Sequence, residues 1–311
     1  MPPSVFVITG IVSVQVGAGL AGRTFGQVTP AAMTGLRLWT SAAMMGALGG
    51  RGVARSVRAV LRNRAWRDGG VVLAFGVTMG LMNFAFYQAI ARIPLGVAVT
   101  IEFLGPLAVA VVSSRRLIDL LWVGLAAAGV ALLSEGWAGL AGPGMRHAAG
   151  VAGPGAGTAL AGVVFALIAA AGWATYILLS ASTGRRFPGS SGLVMAMVVS
   201  AAVVTPAAVV SGGGARGSLL RPGVIGIGVA VGLLSSVIPY RLELEALRRL
   251  PARIFSIWMS LEPAIAALTG LVLLGEALAA REWAAIGCVI VACAGAARGG
   301  GRAGPAPPPA S

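Results

Sequence analysis

The sequence predicts an all-α integral membrane protein: ten transmembrane helices, arranged as two inverted five-helix repeats with both termini in the cytoplasm. Three observations predict it. The composition is apolar and poor in charge, apolar runs long enough to cross a bilayer follow one another, and the arginines gather in alternate gaps between those runs. Of the 311 residues, 57% are hydrophobic and 10% charged, whereas soluble domains carry roughly a quarter charged residues. A soluble fold of this size could not hide so much apolar surface, so lipid is the natural solvent. The 47 glycines suit helices that pack closely in lipid.

The net charge of +14 raises nucleic acid as a partner. The basic residues, all arginine, sit in short clusters between apolar runs and not along one face, which argues against it. Cys288 and Cys293 fall five apart in the last apolar run, where they do not face one another and read as packing residues, not a disulfide.

The expected spans are residues 4–22, 31–49, 70–90, 96–114 and 118–137, then 158–180, 191–211, 223–242, 254–274 and 282–297. The first run has no basic residue before Arg23, so it should stay as a membrane helix and not be cleaved as a signal peptide. The third-to-fourth and eighth-to-ninth connections are tight, carried by Ile93-Pro94 and Leu250-Pro251. Residues 138–157, rich in Gly and Pro and holding the only histidine, His147, read as an external linker between halves 4–137 and 158–297. Residues 298–311 read as a disordered cytoplasmic tail. With the N-terminus inside, the inner segments hold fifteen arginines and the outer ones six, with Arg37 and Arg241 set aside as intramembrane. This bias supports the even span count and the orientation.

The halves also resemble one another. The stretch Tyr87 to Pro94 aligns with Leu244 to Pro251, and twelve residues beyond each loop proline stands another, Pro106 and Pro263. Five helices is an odd number, so a second copy runs through the membrane upside down. Inverted repeats of this kind characterise transporters, with the substrate site near the midplane between copies.

Three stretches carry a wider resemblance: IPLGVAVTIEFLGPLAVAVVSSRRLIDLLWVGLA at 93–126, IPYRLELEALRRLPARIFSIWMSLEPAIAA at 238–267 and LLGEALAAREWAAIG at 273–287. They resemble the drug/metabolite transporter superfamily and its EamA-type ten-helix family, specifically the bacterial inner-membrane threonine/homoserine exporter branch. That resemblance implies a multi-pass protein of a bacterial cytoplasmic membrane that exports a small polar metabolite. The substrate would be an amino acid such as threonine or homoserine; since no motif in the chain binds nucleotide, the proton is the expected coupling ion. Efflux of drugs or other metabolites is the alternative within the family, and an intramembrane transferase the alternative outside it.

A charge at the bilayer centre costs roughly 2.5–3.5 kcal/mol on insertion scales, so each one asks for a partner or a role. Arg37 on the second span and Glu102 on the fourth could pair with one another, or Glu102 could line the cavity. Glu262, on the ninth span, is the second cavity candidate. Either carboxylate could bind a substrate ammonium group or carry the coupled proton. Ser13, Gln15, Asn83, Tyr87, Trp173, Tyr176 and Tyr240 complete the expected polar set, Asn83 and Tyr87 sharing one helix face and Trp173 and Tyr176 another. Pro106 and Pro263 each free a backbone carbonyl about one turn upstream and are the expected hinges. Arg241 and Glu245 read as a surface i,i+4 pair. Glu243 points away from that face and is a weaker cavity candidate, and Glu276 has a helix-end or loop role. One His and two Cys cannot build a zinc site, and without lysine no phosphate-binding P-loop exists. The expectation is a carrier with no metal, cofactor or catalytic residue, whose partners are substrate, proton and bilayer. No sequence feature fixes its oligomeric state.

Overall fold

The computed structural model describes residues 2–62, 66–112, 119–139, 156–187, 190–211 and 221–299. Every regular element among them is helical. That is what a lipid solvent demands, because a helix satisfies its own backbone hydrogen bonds where no water can. The helices are α1 (Pro3–Arg23), α2 (Pro30–Arg62), α3 (Trp66–Ile90), α4 (Leu95–Glu102), α5 (Leu104–Val112) and α6 (Asp119–Gly139). They continue as α7 (Ala156–Arg186), α8 (Ser191–Ser211), α9 (Pro222–Gly232), α10 (Ile238–Arg249), α11 (Ala252–Met259), α12 (Glu262–Thr269) and α13 (Ala280–Gly299). Five-residue π-helical segments, Leu233–Val237 and Gly270–Leu274, join α9 to α10 and extend α12.

Eight described helical stretches are long and apolar enough to cross a membrane. The second expected span falls in α2, whose Thr34, Arg37, Thr40 and Ser41 lower its hydropathy and whose backbone turns at Gly50 (φ 48°). The fifth falls in α6. Two expected boundaries move: α6 runs to Gly139 and α7 starts at Ala156, so the ends of the 138–157 linker are helical. Helix α13 likewise takes in Arg298 and Gly299. The rest of the linker, with His147, and residues 300–311 of the tail lie outside the described residues.

The fourth and ninth spans are broken in the same way. Helices α4 and α11 are both eight residues long, and each follows a proline, Pro94 (φ −54°, ψ 143°) and Pro251 (φ −55°, ψ 137°). Each ends in the αR region, at Phe103 (φ −64°, ψ −13°) and Ser260 (φ −63°, ψ −12°). Pro106 and Pro263 then fall in the first turn of α5 and α12, where a missing N–H costs no helical bond. The prolines therefore open new helices after the break. They do not bend a continuous one.

The halves are interleaved: α3 packs on α7 and α8, α2 on α8, α1 on α10, and α4 on α12. Small residues permit this approach. A Cβ on Gly96 would lie 2.6 Å from Ala267 Cα, and one on Gly76 would lie 2.7 Å from the Ala196 carbonyl oxygen. The perimeter is apolar, with Val112, Val210 and Val272 almost fully exposed, as a lipid-facing surface requires. Cys293 packs into the apolar core, and both cysteines are free.

Glu276 does have a loop role, and it joins the halves. Gly275 adopts φ 71°, and Glu276 Oε2 then accepts a 2.8 Å hydrogen bond from Leu95 N at the start of α4. A carboxylate at a helix N-terminus meets both free N–H groups and the positive end of the dipole. Glu276 lies beyond the apolar spans, and burial pushes its carboxyl up to about 7 against the opposing effect of the Leu95 hydrogen bond.

Candidate functional site

The polar residues predicted on separate helices converge on one cavity of about 180 Å³ where the halves meet. From the first half, α1 contributes Gln15, α2 Arg37, α3 Asn83 and Tyr87, and α4 its last residue, Glu102. From the second, α7 contributes Trp173 and Tyr176, α10 Tyr240, and α12 its first residue, Glu262. The break in each half is what delivers the acids. Glu102 ends α4 immediately before one break, and Glu262 begins α12 immediately after the other. Met259, eight residues after Pro251 as Glu102 is after Pro94, also reaches the cavity wall. Trp173 packs edge-on against Phe103 at 4.9 Å, which braces the first break from across the seam.

Arg37 is held from two sides. Its Nη1 donates to Asn83 Oδ1 and its Nη2 to the Ser235 carbonyl at 3.2 Å, while its Cζ lies 5.5 Å from the Tyr87 ring centre. Asn83 Nδ2 donates to the Met79 carbonyl at 2.8 Å, which orients its oxygen toward Arg37. Also on the cavity lining, Gln15 Nε2 donates to Glu262 Oε1 at 2.8 Å, a buried bond between the first helix and the ninth span.

Several expectations are corrected. Arg37 and Glu102 face the same cavity but form no ion pair; the terminal nitrogens of Arg37 donate instead to Asn83 Oδ1 and the Ser235 carbonyl. Ser13 does not line the cavity; its Oγ donates to the Leu234 carbonyl at 2.7 Å and ties α1 to the π segment. Glu245 pairs with Arg249 and, at 3.6 Å, with Arg248, so Arg241 is left exposed without it. Glu243, expected to be a weaker cavity candidate, lines the cavity. It stands three and four residues after Tyr240 and Pro239, which line it too, so it shares their helix face.

Ser235 is the wall residue that sequence reasoning missed. It sits in the π segment, where i→i+5 bonding widens the turn and breaks the 3.6-residue phase that would otherwise locate it. Opposite it stands Gly17, where any Cβ would collide with Ser235 Oγ. The π segment is further held by Ser41 Oγ, which donates to the Gly232 carbonyl at 3.3 Å and meets Ser236 Oγ at 3.1 Å.

No cluster of His, Cys, Asp and Glu that could hold a metal occurs among the described residues. What the site offers is one guanidinium, three carboxyls and an aromatic rim in an enclosure at the seam of two halves.

Known proteins give the same direction. The EamA-like transporter family matches residues 160–298. Two proteins named threonine/homoserine exporter RhtA, from Escherichia coli strain K12 and Salmonella typhimurium strain LT2, are 36% and 35% identical to this chain. Each match covers 94% of this chain and 90% of the relative. A solved crystal structure that is 20% identical shares the fold, with a TM-score of 0.57 over 94% of this chain and 96% of that one.

Proposed function

The chain belongs to the EamA-like transporter family, and from that premise we propose that it exports a small amino acid, threonine or homoserine, by proton-coupled alternating access. It is a multi-pass protein of the bacterial inner membrane, a carrier and not an enzyme. The observation that carries the substrate class is the cavity itself. A fixed guanidinium shares a cavity of about 180 Å³ with carboxyls. Drug-sized ligands occupy pockets of roughly 300–1,000 Å³. The enclosure suits a small zwitterion, which favours amino-acid export over drug efflux.

The architecture of the proposal is ten spans in two inverted five-helix repeats, 4–137 and 158–297, joined outside the membrane, with both termini in the cytoplasm. The matching breaks at Phe103 and Ser260 and the arginine-rich inner segments support it. The repeats rock about the cavity and expose it first inward, then outward. The breaks place irregular backbone where it borders the cavity, the only setting in which a membrane interior tolerates it, and Pro106 and Pro263 keep those breaks from closing into continuous helix.

Energy comes from the proton gradient, and Glu102 carries the proton. It ends a short helix at the break, lines the cavity and has no ion-pair partner among the described residues, so proton uptake and substrate binding can compete for it. The test is movement of radiolabelled threonine and homoserine in proteoliposomes with and without an imposed pH gradient. Gradient-driven flux is expected in the wild type and its loss in Glu102→Gln, with gradient-free exchange retained. Undiminished gradient-driven flux in the variant would eliminate Glu102 as the coupling residue.

A further inference from the structure

Buried polar atoms nearly always have partners, and the exceptions ask for an explanation. Among the described residues seven buried side-chain atoms lack one, and five belong to the cavity wall: Gln15 Oε1, Arg37 Nε, Tyr87 Oη, Ser235 Oγ and Glu262 Oε2. These five sort by chemistry. Arg37 Nε can only donate, and each hydroxyl has a proton to give. These three lie together: the Tyr87 hydroxyl is beside Arg37 and Ser235, without the geometry of a hydrogen bond to either. Gln15 Oε1 accepts, as does the Glu262 carboxylate oxygen. These two are joined through the Gln15–Glu262 hydrogen bond. Gln15, Tyr87, Ser235 and Glu262 are 1%, 1%, 8% and 7% exposed, so what occupies the cavity is what can satisfy them.

The cavity lining therefore holds a set of unspent donors around a cation and a set of unspent acceptors around an acid. We propose that Arg37, Tyr87 and Ser235 take the substrate's carboxylate, and that Glu262 with Gln15 takes its ammonium group. The inference rests on the amino-acid reading above and adds which residues recognise each end of the molecule. Arg37 is held in place for this by one hydrogen bond from each terminal nitrogen, which leaves its Nε–H and a second proton on each terminal nitrogen to donate. Ser235 reaches the pole because the π segment carries it there and Gly17 leaves it room. The site then selects the free amino acid, and rejects both the amine that lacks a carboxylate and the acid that lacks an amine.

The experiment is homoserine exchange in proteoliposomes, competed by two analogues: the amino alcohol made by reducing the carboxylate, and the hydroxy acid with hydroxyl in place of the amine. Ser235→Ala and Tyr87→Phe each delete one oxygen that has no partner, so both are expected to unfold at the wild-type temperature. Each should raise half-saturating homoserine about tenfold, the scale of one hydrogen bond to a charged group. Inhibition by the amino alcohol should stay at the wild-type level. Glu262→Gln should show the mirror pattern, with homoserine weakened and the hydroxy acid unaffected. Hydroxyl variants that leave homoserine unchanged, or that weaken the amino alcohol equally, overturn the proposal alone. A wild-type protein that moves no homoserine or threonine overturns the amino-acid reading and this assignment together.

Discussion

Gln15 is the only wall residue of α1 that reaches across the seam by a hydrogen bond, and replacing it with Leu tests how the acidic pole is held. The side chain is 1% exposed and its Nε2 lies 2.8 Å from Glu262 Oε1, itself on a residue 7% exposed. Interhelical hydrogen bonds in membrane bundles average about 0.6 kcal/mol and reach about 1.7, because the unfolded chain in lipid also finds partners. Bonds to charged groups in proteins run at about 1.5–3 kcal/mol. A buried amide on a carboxylate belongs where these ranges meet, so the coupling energy should be about 1.5 kcal/mol, roughly a tenfold change in the unfolding equilibrium. The measurement is a double-mutant cycle of Gln15→Leu and Glu262→Leu, by unfolding in mixed micelles followed through the chain's seven tryptophans. A coupling below about 0.5 kcal/mol, less than an average interhelical bond, would refute the claim that Gln15 fixes Glu262. The homoserine assay should agree, with Gln15→Leu weakening substrate binding as Glu262→Gln does.

Three further outcomes are expected. Gly96→Val should separate α4 from α12, since its Cβ would meet Ala267 Cα at 2.6 Å. Overpacking against backbone costs about 1–3 kcal/mol, whereas Gly226→Ala, with nothing within 4 Å, should be neutral or stabilising in the same unfolding assay. The Glu276 carboxyl is raised from 4.5 to about 7, so between those pH values the folded protein binds the proton that the unfolded chain has released. Stability should therefore fall as pH rises from 4.5 to 7 and level off above, and Glu276→Gln should flatten that slope in thermal unfolding followed by circular dichroism. Asp68→Asn removes the Asp68–Arg186 ion pair, both partners 40% exposed, and should cost no more than about 1 kcal/mol, because solvent screens such pairs. A larger loss would show that this contact organises the junction of α3 and α7.

Most of the cavity was legible in advance because polar residues in an apolar chain are conspicuous and helical spacing groups them. Asn83 and Tyr87 share a face on α3, and Trp173 and Tyr176 share one on α7; the fold turns both faces inward. Glu243 was legible too, through its spacing from Tyr240, but the Arg241–Glu245 pattern suggested the wrong face. The real partners of Glu245 are Arg248 and Arg249, one turn further along. Ser13 was conspicuous for the same reason as Gln15, yet its hydroxyl is consumed by the Leu234 carbonyl. Polarity alone does not separate a residue that offers its hydrogen bond to a ligand from one that spends it on the backbone.

What the sequence determined by itself is the solvent of this protein and the inventory of its site. Composition requires lipid, continuous apolar runs long enough to cross it require helices, and the few polar groups that persist among apolar text mark an interior. Tertiary structure alone decided how those groups divide. Whether Arg37 pairs with Glu102 or with Asn83 and Ser235 depends on distances between helices far apart in the chain. Whether Ser235 faces the cavity depends on a π segment held open by hydrogen bonds from α1 and α2 and by the space at Gly17. The physical reason is that periodicity fixes the direction of a side chain only within one regular helix. Partners across a seam, and phase beyond an irregular turn, are set by packing.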